Sequence, residues 1–322
     1  MRMKCSAVTF LALAVLWASI SPRPLPAADS ANGDWLAQIN RYRAMAGLEP
    51  VVEDPAASVG DLNHARYLVK RFEEELPETV NIHDEGRETP WSTPSGALAA
   101  SLSDIAFRAG SQDSVDQAGL IKEVIHDWMT DPFERLPMLD PDLRKVGIGT
   151  YRERDFTVIV LQVRTPPSPP EEIVLGNPED YRKQGPPPPS SKYPIMFPPA
   201  GSTVPLAAYQ GGGWPNPLAS CANYVTPTGL PVTLELGPSA QSETIVSHSV
   251  VSGALVLEHC IFTPSTYVGF GDDQTIIGRR GLATFGAIVI IPRVSFHNGG
   301  QYTVTIKTDQ REYKWSFTVR LE

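Results

Sequence analysis

Side chains that could bind a metal or transfer a proton are concentrated in residues 123–149, EVIHDWMTDPFERLPMLDPDLRKVGIG. The stretch places His126, Asp131, Glu134 and Arg135 around a tryptophan. Imidazole and carboxylate groups can hold a divalent metal at about 2.0–2.2 Å, or can act as general acid and base. The sequence contains no phosphate-binding loop, no dinucleotide fingerprint and no Cys–His pair suited to catalysis. Metal binding and proton transfer are therefore the chemistries to consider here.

A helix is predicted to carry the first part of this stretch. Apolar residues of GLIKEVIHDWM recur at helical spacing, and His126 projects roughly 150° from the centre of their face, at about 100° per residue. His126 is therefore predicted to be exposed. Thr130–Asp131–Pro132 predicts the end of this helix and a cap for the next turn. Glu134 and Arg135 are expected to point outward or to pair locally, worth at most about 1 kcal/mol at the surface.

Two more helices are predicted upstream, and two strands downstream. GDWLAQINRYRAMAGL has apolar residues at helical spacing, and Gly47 stands where a helix ends. In PAASVGDLNHARYLVKRFEEEL one apolar stripe is clear, and His64, about 110° from it, is predicted to cap or pack at the helix edge. VGIGTYRERDFTVIVLQV then predicts two strands joined by a turn near Arg152–Arg154. The first half is thus of the α+β class.

The second half follows a different pattern. Residues 166–194 are rich in proline, which favours an extended, semi-rigid spacer over a site read by a proline-binding partner. From residue 195 to 322, short alternating strands are separated by Gly, Pro, Asn and Asp, which predicts an all-β sandwich. HNGGQYTVTI and YKWSFTVR predict a closing hairpin, in which Tyr302, Val304 and Ile306 share one face.

The first 28 residues have the pattern of a secretory signal peptide. A basic start precedes a short apolar run, and cleavage is expected near Ala27 or Ala28, with a membrane anchor as the competing interpretation. Cleavage removes three basic residues and no acidic one, which takes the net charge from −9 to −12. Such an acidic chain is a poor partner for nucleic acid or for anionic membranes. No membrane span is expected after cleavage.

Cleavage also removes Cys5 and leaves one pair of cysteines, Cys221 and Cys260. Outside the cytoplasm a disulfide between them is the default expectation. Closing a loop of that size stabilises the fold by roughly 3–4 kcal/mol in the chain-entropy estimate.

Several motifs of the first half resemble one family. The matching segments are INRYRAMAGLEPV, NHARYLVKRF, IHDE, VIHDWMTDPFERLPMLDP and RKVGIG. Together they resemble the CAP domain, named for cysteine-rich secretory proteins, antigen 5 and pathogenesis-related 1, and in particular its bacterial branch. The resemblance covers about residues 34–165 and implies an α-β-α sandwich over the domain, 29–165. The second half more loosely resembles the immunoglobulin-like module that follows CAP domains in some bacterial secreted proteins.

The resemblance also implies a central cleft lined by two histidines and one or two acids, where some members hold a metal. His83 stands at the first histidine position, but Glu134 replaces the second, and Ser95 stands where related bacterial sequences have a glutamate. Glu85, two residues after His83, is a candidate to join His83 and Glu134 in a weak metal site. A Ser95–His83–acid trio is disfavoured because Ser95 lacks a Gly-x-Ser-x-Gly signature.

These sequence features are compatible with three functions. The leading hypothesis is a secreted or cell-envelope, non-catalytic binding protein with a degenerate cleft, no cofactor and no bound metal. Its partner would be an extracellular or envelope protein, a glycan or a small lipid, since some family members bind sterols and fatty acids. The alternative is a metal-assisted hydrolase that uses His83, Glu85 and Glu134. The third is a structural cell-surface module in which the second domain binds the partner.

Overall fold

The computed structural model describes residues 34–74, 80–86, 89–109, 117–166, 192–238 and 243–321. The predicted signal peptide and most of the proline-rich stretch lie outside these residues. Within them, no helix is both long enough and apolar enough to cross a membrane. Residues 34–166 are called the N-terminal region below, and residues 192–321 the C-terminal region.

Five helices occur in the described part of the N-terminal region: α1 (Asp34–Met45), α2 (Pro55–Glu74), α3 (Pro94–Leu102), α4 (Gln117–Thr130) and α5 (Pro132–Met138). Three of them, α1, α2 and α4, confirm the predicted helices. The predicted cap is confirmed too, because the Asp131 side chain accepts a hydrogen bond from the Phe133 backbone N–H at 2.8 Å and starts α5. Helix α3 was not predicted, and Thr93 caps it in the same way.

A four-stranded sheet separates two layers of helices. Its strands are β1 (Val52–Glu53), β2 (Ser103–Ala109), β3 (Lys145–Glu153) and β4 (Phe156–Gln162), in the order β1-β3-β4-β2. Only the β1–β3 pair is parallel. Side chains of β4 alternate between the layers: Ile159 and Leu161 join the core formed by α1 and α4, and Val158 and Val160 join the cluster under α2. This arrangement agrees with the predicted three layers.

Two glycines let α2 lie directly on β3. A Cβ atom at Gly149 would stand 2.0 Å from the Leu62 backbone nitrogen, and one at Gly147 would stand 2.6 Å from the backbone of Ala57. Backbone atoms cannot move aside as a side chain can, so both positions require glycine. The Val-Gly-x-Gly motif is therefore a packing motif that sets the height of α2 above the sheet.

Two polar motif residues of α1 fix loops rather than face a cleft. Asn40 both donates to the Val51 carbonyl at 3.0 Å and accepts from the Val51 N–H at 2.8 Å. Arg43 is fully buried and donates to the carbonyls of Met138, Asp140 and Leu143. These bonds hold the segment after α5 in place.

The C-terminal region is built mainly of strands, in two larger sheets and one small one. Its strands are β5 (Ile195–Phe197), β6 (Thr203–Val204), β7 (Ala208–Tyr209), β8 (Thr228–Gly229), β9 (Val232–Glu235), β10 (Ile245–Ser252), β11 (Leu255–Val256), β12 (His259–Phe262), β13 (Ala287–Pro292), β14 (Gln301–Thr308) and β15 (Glu312–Val319). The larger sheets have the orders β11-β10-β14-β15-β6 and β12-β13-β9-β5. Strands β14 and β15 form the predicted closing hairpin, in which Tyr302, Val304 and Ile306 are all buried.

One helix in this region was not predicted: α6 (Asp272–Phe285) connects β12 to β13. Its sequence, DDQTIIGRRGLATF, buries only Gly278, Leu282 and Phe285, so its apolar stripe is too narrow to stand out. Gly286 ends the helix with φ 57°, the left-handed conformation that favours glycine. The predicted disulfide between Cys221 and Cys260 is confirmed, with Cα atoms 5.6 Å apart.

The two regions share one hydrophobic core. Tyr42 and Met138 belong to the same buried cluster as Phe197 and Leu234, and the rings of Tyr42 and Phe197 meet edge to face at 6.4 Å. A second cluster joins Phe133 and Leu136 of α5 to the side chains around the disulfide and α6. The C-terminal region is thus packed directly onto α5, the helix that carries Glu134.

Candidate functional site

The site predicted from the sequence centres on His83, which lies in the loop between α2 and α3. Its Nδ1 is 2.9 Å from the Ala100 carbonyl oxygen, which can only accept, so Nδ1 carries the proton. Burial lowers the pKa of His83 to about 4, aided by the nearby positive charge of Arg164. His83 is therefore a neutral imidazole at physiological pH, with its orientation fixed by the α3 backbone.

Glu134 meets a partner that the sequence did not reveal, Asp104 on β2. Asp104 is 1% exposed, and its carboxyl group lies beside that of Glu134. The guanidinium of Arg164 approaches Asp104 from the surface at 3.5 Å. Within the described residues, neither oxygen of Asp104 makes a hydrogen bond of ordinary geometry to anything else. We call Asp104, Glu134, Arg164 and His83 the cleft cluster.

The two carboxyl groups of the cleft cluster cannot both ionise easily. Burial raises the pKa of Asp104 to about 6, although Arg164 pulls it down. Burial and the charge of Asp104 raise the pKa of Glu134 well above its ordinary value. Near neutral pH, Glu134 therefore holds a proton, and Asp104 is largely ionised and paired with Arg164.

Glu85 does not join this cluster. One of its carboxylate oxygens is 2.9 Å from Nδ1 of His64, and the other accepts from the Thr93 backbone N–H at 2.8 Å. Both His64 and Glu85 have fully buried side chains, and Nε2 of His64 is 2.8 Å from the Ile82 carbonyl. The prediction that His64 caps or packs at an edge was wrong, because the loop at 80–86 folds over that flank of α2.

Ser95 lies at the start of α3 and accepts a hydrogen bond from the Asn63 side chain at 3.0 Å. It lines a small cavity of about 170 Å³ between α2 and α3. Among the described residues no hydrogen bond joins Ser95 to His83, whose Nδ1 is taken by Ala100. The geometry therefore gives no support to a Ser95 nucleophile.

The outward orientation expected for Glu134 and Arg135 was wrong. Glu134 is partly buried in the cleft cluster, and Arg135 is fully buried between the two regions. His126 is likewise half-buried, with Nδ1 3.4 Å from the Tyr42 hydroxyl. The sequence could not show the burial of Arg135, because Phe197 and Pro231, which cover it, lie 62 and 96 positions further along the chain.

Arg135 ties the two regions together. It donates to the Met129 carbonyl at 2.7 Å on its own side and to the Pro231 carbonyl at 2.8 Å on the other. Its guanidinium lies 4.4 Å from the centre of the Phe197 ring. Burial lowers the pKa of Arg135 to about 10, while buried Glu235 favours the charged form.

A glycine-rich loop of the C-terminal region closes over Asp131. A Cβ atom at Gly213 would stand 1.7 Å from Oδ2 of Asp131, so only glycine allows this approach. The Gly213 N–H donates to the Tyr209 hydroxyl at 3.2 Å, and that hydroxyl interacts with the Asp131 carboxyl. Burial raises the pKa of Asp131 to about 7. The cleft side of α5 is therefore covered by residues 209–213.

These residues do not fit a metal ion. In the described ranges, no group of three or more His, Cys, Asp or Glu side chains has an arrangement that could hold one. The cleft cluster supplies one imidazole and two carboxyls, and those carboxyls already interact with each other and with Arg164. A metal would have to displace Arg164 and take the proton from Glu134.

Residues 36–163 match the family model of CAP, the cysteine-rich secretory protein family. The sheet between helical layers lies within this matched segment, as do His83, Asp104 and Glu134 of the cleft cluster, and Arg164 follows the segment by one residue. The resemblance inferred from the motifs is confirmed over this range. A search of curated proteins finds no match.

Sequence reasoning missed Asp104 and Arg164, the two residues that complete the cleft cluster. A signal for Asp104 was present, because SLSDIAF contains one acid in an otherwise apolar and small-residue run. An acid that is buried needs a partner, so a lone acid in an apolar strand is a stronger sign of a polar site than an exposed acid is. Arg164 has no comparable signal, since it follows β4 at the edge of the proline-rich stretch.

Proposed function

We propose that the protein is an exported, non-catalytic binding protein in which the CAP cleft has become a structural cluster. One observation carries the proposal: the charges of the cleft cluster are already matched within the molecule. Arg164 pairs with Asp104, Glu134 is protonated and His83 is neutral. A cluster of this kind has no unbalanced charge to attract a metal ion or to activate water.

Export is supported by the first 28 residues, by the disulfide, and by the extracellular location typical of CAP proteins. The C-terminal region fits an immunoglobulin-like sandwich, because its two larger sheets enclose one core. In this proposal the domain boundaries are those predicted from the sequence: 29–165 for the CAP domain, 166–194 for the linker and 195–322 for the sandwich.

A macromolecular partner fits better than a small lipid. The cavity beside Ser95 is about 170 Å³, which is below the roughly 300–1,000 Å³ of drug-sized ligand sites. A groove of about 470 Å³ in the C-terminal region is large enough, but it is open and most of the residues that line it are polar, which does not suit a lipid. Four exposed apolar side chains, by contrast, lie within ten residues of each other at the start of α6: Val268, Phe270, Ile276 and Ile277. Apolar side chains grouped on a surface mark protein contacts. An envelope protein is therefore the partner class that we favour over a glycan or a lipid.

The proposal that the protein is not a catalyst is tested with the double variant Asp104→Asn/Glu134→Gln. Its matched control is Glu123→Gln, on the exposed side of α4. Each protein is assayed on ester, peptide, phosphodiester and glycoside substrates. We expect no saturable turnover by the natural chain. Turnover that the double variant abolishes and the Glu123→Gln control retains would overturn the proposal.

The partner class is tested by direct binding. Phosphatidylglycerol vesicles, fatty acid, cell-wall oligosaccharides and purified envelope proteins are compared as probes. We expect saturable binding to an envelope protein, lost in Phe270→Ser and kept in Val225→Ser, which changes another strongly exposed apolar residue elsewhere. Binding to the lipid or oligosaccharide probes alone would reject a protein partner.

A second function has one observation in its favour. An ionised Asp104 beside a protonated Glu134 is the combination that hydrolases use as base and acid. This version of a hydrolase replaces the predicted His83, Glu85 and Glu134 set, since Glu85 is bonded to His64. The same substrate assay decides between the two functions, because only a hydrolase loses turnover in the double variant.

A further inference from the structure

Two histidines of the C-terminal region face each other across its two larger sheets. His248 lies on β10 of the five-stranded sheet, and His259 lies on β12 of the four-stranded sheet. Nδ1 of His248 is 2.8 Å from Nε2 of His259. The rings are steeply inclined, with an interplanar angle of 75°. Neither residue belongs to the CAP domain or to the surface at the start of α6.

The second nitrogen of His259 is fixed in a way that suits a metal ligand. Its Nδ1 is 2.7 Å from the Leu257 carbonyl oxygen, which only accepts, so Nδ1 carries the proton. The lone pair of a neutral His259 is then on Nε2, the atom that faces His248. A ring N–H donated to a backbone carbonyl is the usual support for a histidine that binds a metal.

We propose that Nδ1 of His248 and Nε2 of His259 form a binding site for a divalent transition metal of the Cu²⁺ or Ni²⁺ class. Two nitrogens at right angles on a metal, each at about 2.0–2.1 Å, are about 2.9 Å apart. The observed separation of 2.8 Å is close to this value and shorter than the about 3.3 Å of a tetrahedral pair. Right-angled nitrogen ligands are typical of tetragonal Cu²⁺ and Ni²⁺.

The proton balance of binding is simple. In the metal-free protein, His248 donates its Nδ1 proton to His259. When the metal takes that position, Nδ1 gives up its proton and Nε2 of this exposed side chain takes one from solvent. Both imidazoles stay neutral, as metal binding requires.

Space for the remaining ligands is present. His248 lines an open groove of about 470 Å³, which is also bordered by the hydroxyl residues Ser247, Thr263, Ser265 and Thr266. Among the described residues no third His, Cys, Asp or Glu completes a metal group. Water or an outside ligand therefore fills the other positions, and the metal connects the two sheets at their edge.

The test is a titration of the full purified chain with CuSO₄ and NiCl₂ in a non-chelating buffer. Calorimetry gives stoichiometry and affinity, and paramagnetic resonance counts the nitrogens on Cu²⁺. The variants are His248→Ala and His259→Ala, with His297→Ala as an exposed control and His83→Ala as the cleft control. His259→Gln serves if His259→Ala does not fold.

We expect one Cu²⁺ per chain with two imidazole nitrogens, and weaker binding of Ni²⁺. Each substitution in the pair should reduce Cu²⁺ affinity at least tenfold and leave one nitrogen, while both controls bind like the natural chain. Absence of saturable binding, or binding unchanged in both pair variants, overturns the proposal. Loss of binding in His83→Ala alone would instead place the metal in the cleft and reject the proposed function.

Discussion

The cleft cluster and the surface between the two regions each place an arginine near buried carboxyl groups, and they neutralise the charge by different means. In the cleft, Arg164 keeps a 43% exposed side chain and reaches Asp104 from solvent, while a proton on Glu134 neutralises the second acid. Between the regions, Arg135 is entirely buried and is bound mainly by backbone carbonyls. Burial raises the pKa of nearby Glu235 well above its ordinary value.

The difference shows which arginine supports the fold. Removing one partner of a water-exposed ion pair costs little stability, because water solvates the remaining charge. Removing a fully buried charged side chain costs more, because the donors and acceptors around it are left without partners. Arg135 therefore holds the molecule together, and Arg164 adjusts the ionisation of a cluster that is already folded. Substitutions at the two arginines and at their neighbours test this contrast.

Arg135→Met is expected to lower the free energy of unfolding by about 2–5 kcal/mol, because it leaves the buried carbonyls of Met129 and Pro231 without this donor. Chemical denaturation measures the change. The double variant Arg135→Met/Glu235→Leu should recover part of the loss, since it also removes the Glu235 carboxyl group, which is buried without a hydrogen-bond partner among the described residues. Arg320→Met, on the surface, should change stability by less than about 0.5 kcal/mol. A loss for Arg135→Met as small as this control would contradict the contrast.

The cleft acids make stability depend on pH in a defined direction. Their pKa values are raised in the folded state, with that of Asp104 at about 6, so the folded protein binds more protons than the unfolded one in this window. Their contribution is present below about pH 4 and is lost as pH rises through the folded-state pKa. For Asp104 it amounts to at most about 3 kcal/mol.

The measurement compares denaturation at pH 4 to 8 for the natural chain and for Asp104→Asn/Glu134→Gln. The double variant should lose less stability across this range, and Glu123→Gln should follow the natural chain. Burial raises the pKa values of Asp61 and Asp131 to about 7. These two acids therefore make the free energy of unfolding fall with rising pH in every variant. An identical slope in the double variant would mean that the two acids ionise freely.

Gly213→Ala should lower the free energy of unfolding by about 1–3 kcal/mol, because the added methyl group overlaps the Asp131 carboxyl. That carboxyl cannot turn away, since it caps α5 and is 4% exposed. Gly86→Ala is the matched control, as a Cβ atom there meets nothing within 4 Å. Equal stability of the two variants would show that residues 209–213 are not packed tightly against the Asp131 carboxyl.

Arg164→Gln should change stability by less than about 1 kcal/mol, as expected for a partly exposed ion pair. Its effect should appear in ionisation instead, with the pKa of Asp104 rising because the nearby positive charge is gone. A carboxyl-selective NMR titration follows that pKa directly. If Arg164→Gln destabilised the protein as much as Arg135→Met, the two arginines would have the same role.

Local patterns account for what the sequence predicted well. Helices α1, α2 and α4, the closing hairpin and the Asp131 cap all depend on neighbours within a few positions. Helix α6 was missed because only Gly278, Leu282 and Phe285 are buried along it. The spacing of apolar residues therefore could not reveal this helix.

The site was predicted less well, because its contacts are long-range. Glu134 and His83 were identified from motif positions, but the partners Asp104 and Arg164 come from a strand and a strand end elsewhere in the chain. Arg135 looked like a surface residue because Pro231 and Phe197, which cover it, belong to the other half. His64 was misplaced because a helix projection does not include the loop that folds over it.

The shared core changes what a single cut in the chain would do. A break within residues 167–191 removes none of the described contacts between Tyr42 and Phe197 or between Arg135 and Pro231. The two fragments would then remain together as a heterodimer, eluting as one peak in size-exclusion chromatography. In these terms the proline-rich stretch works as a tether, which raises the effective concentration of each half around the other without adding contacts.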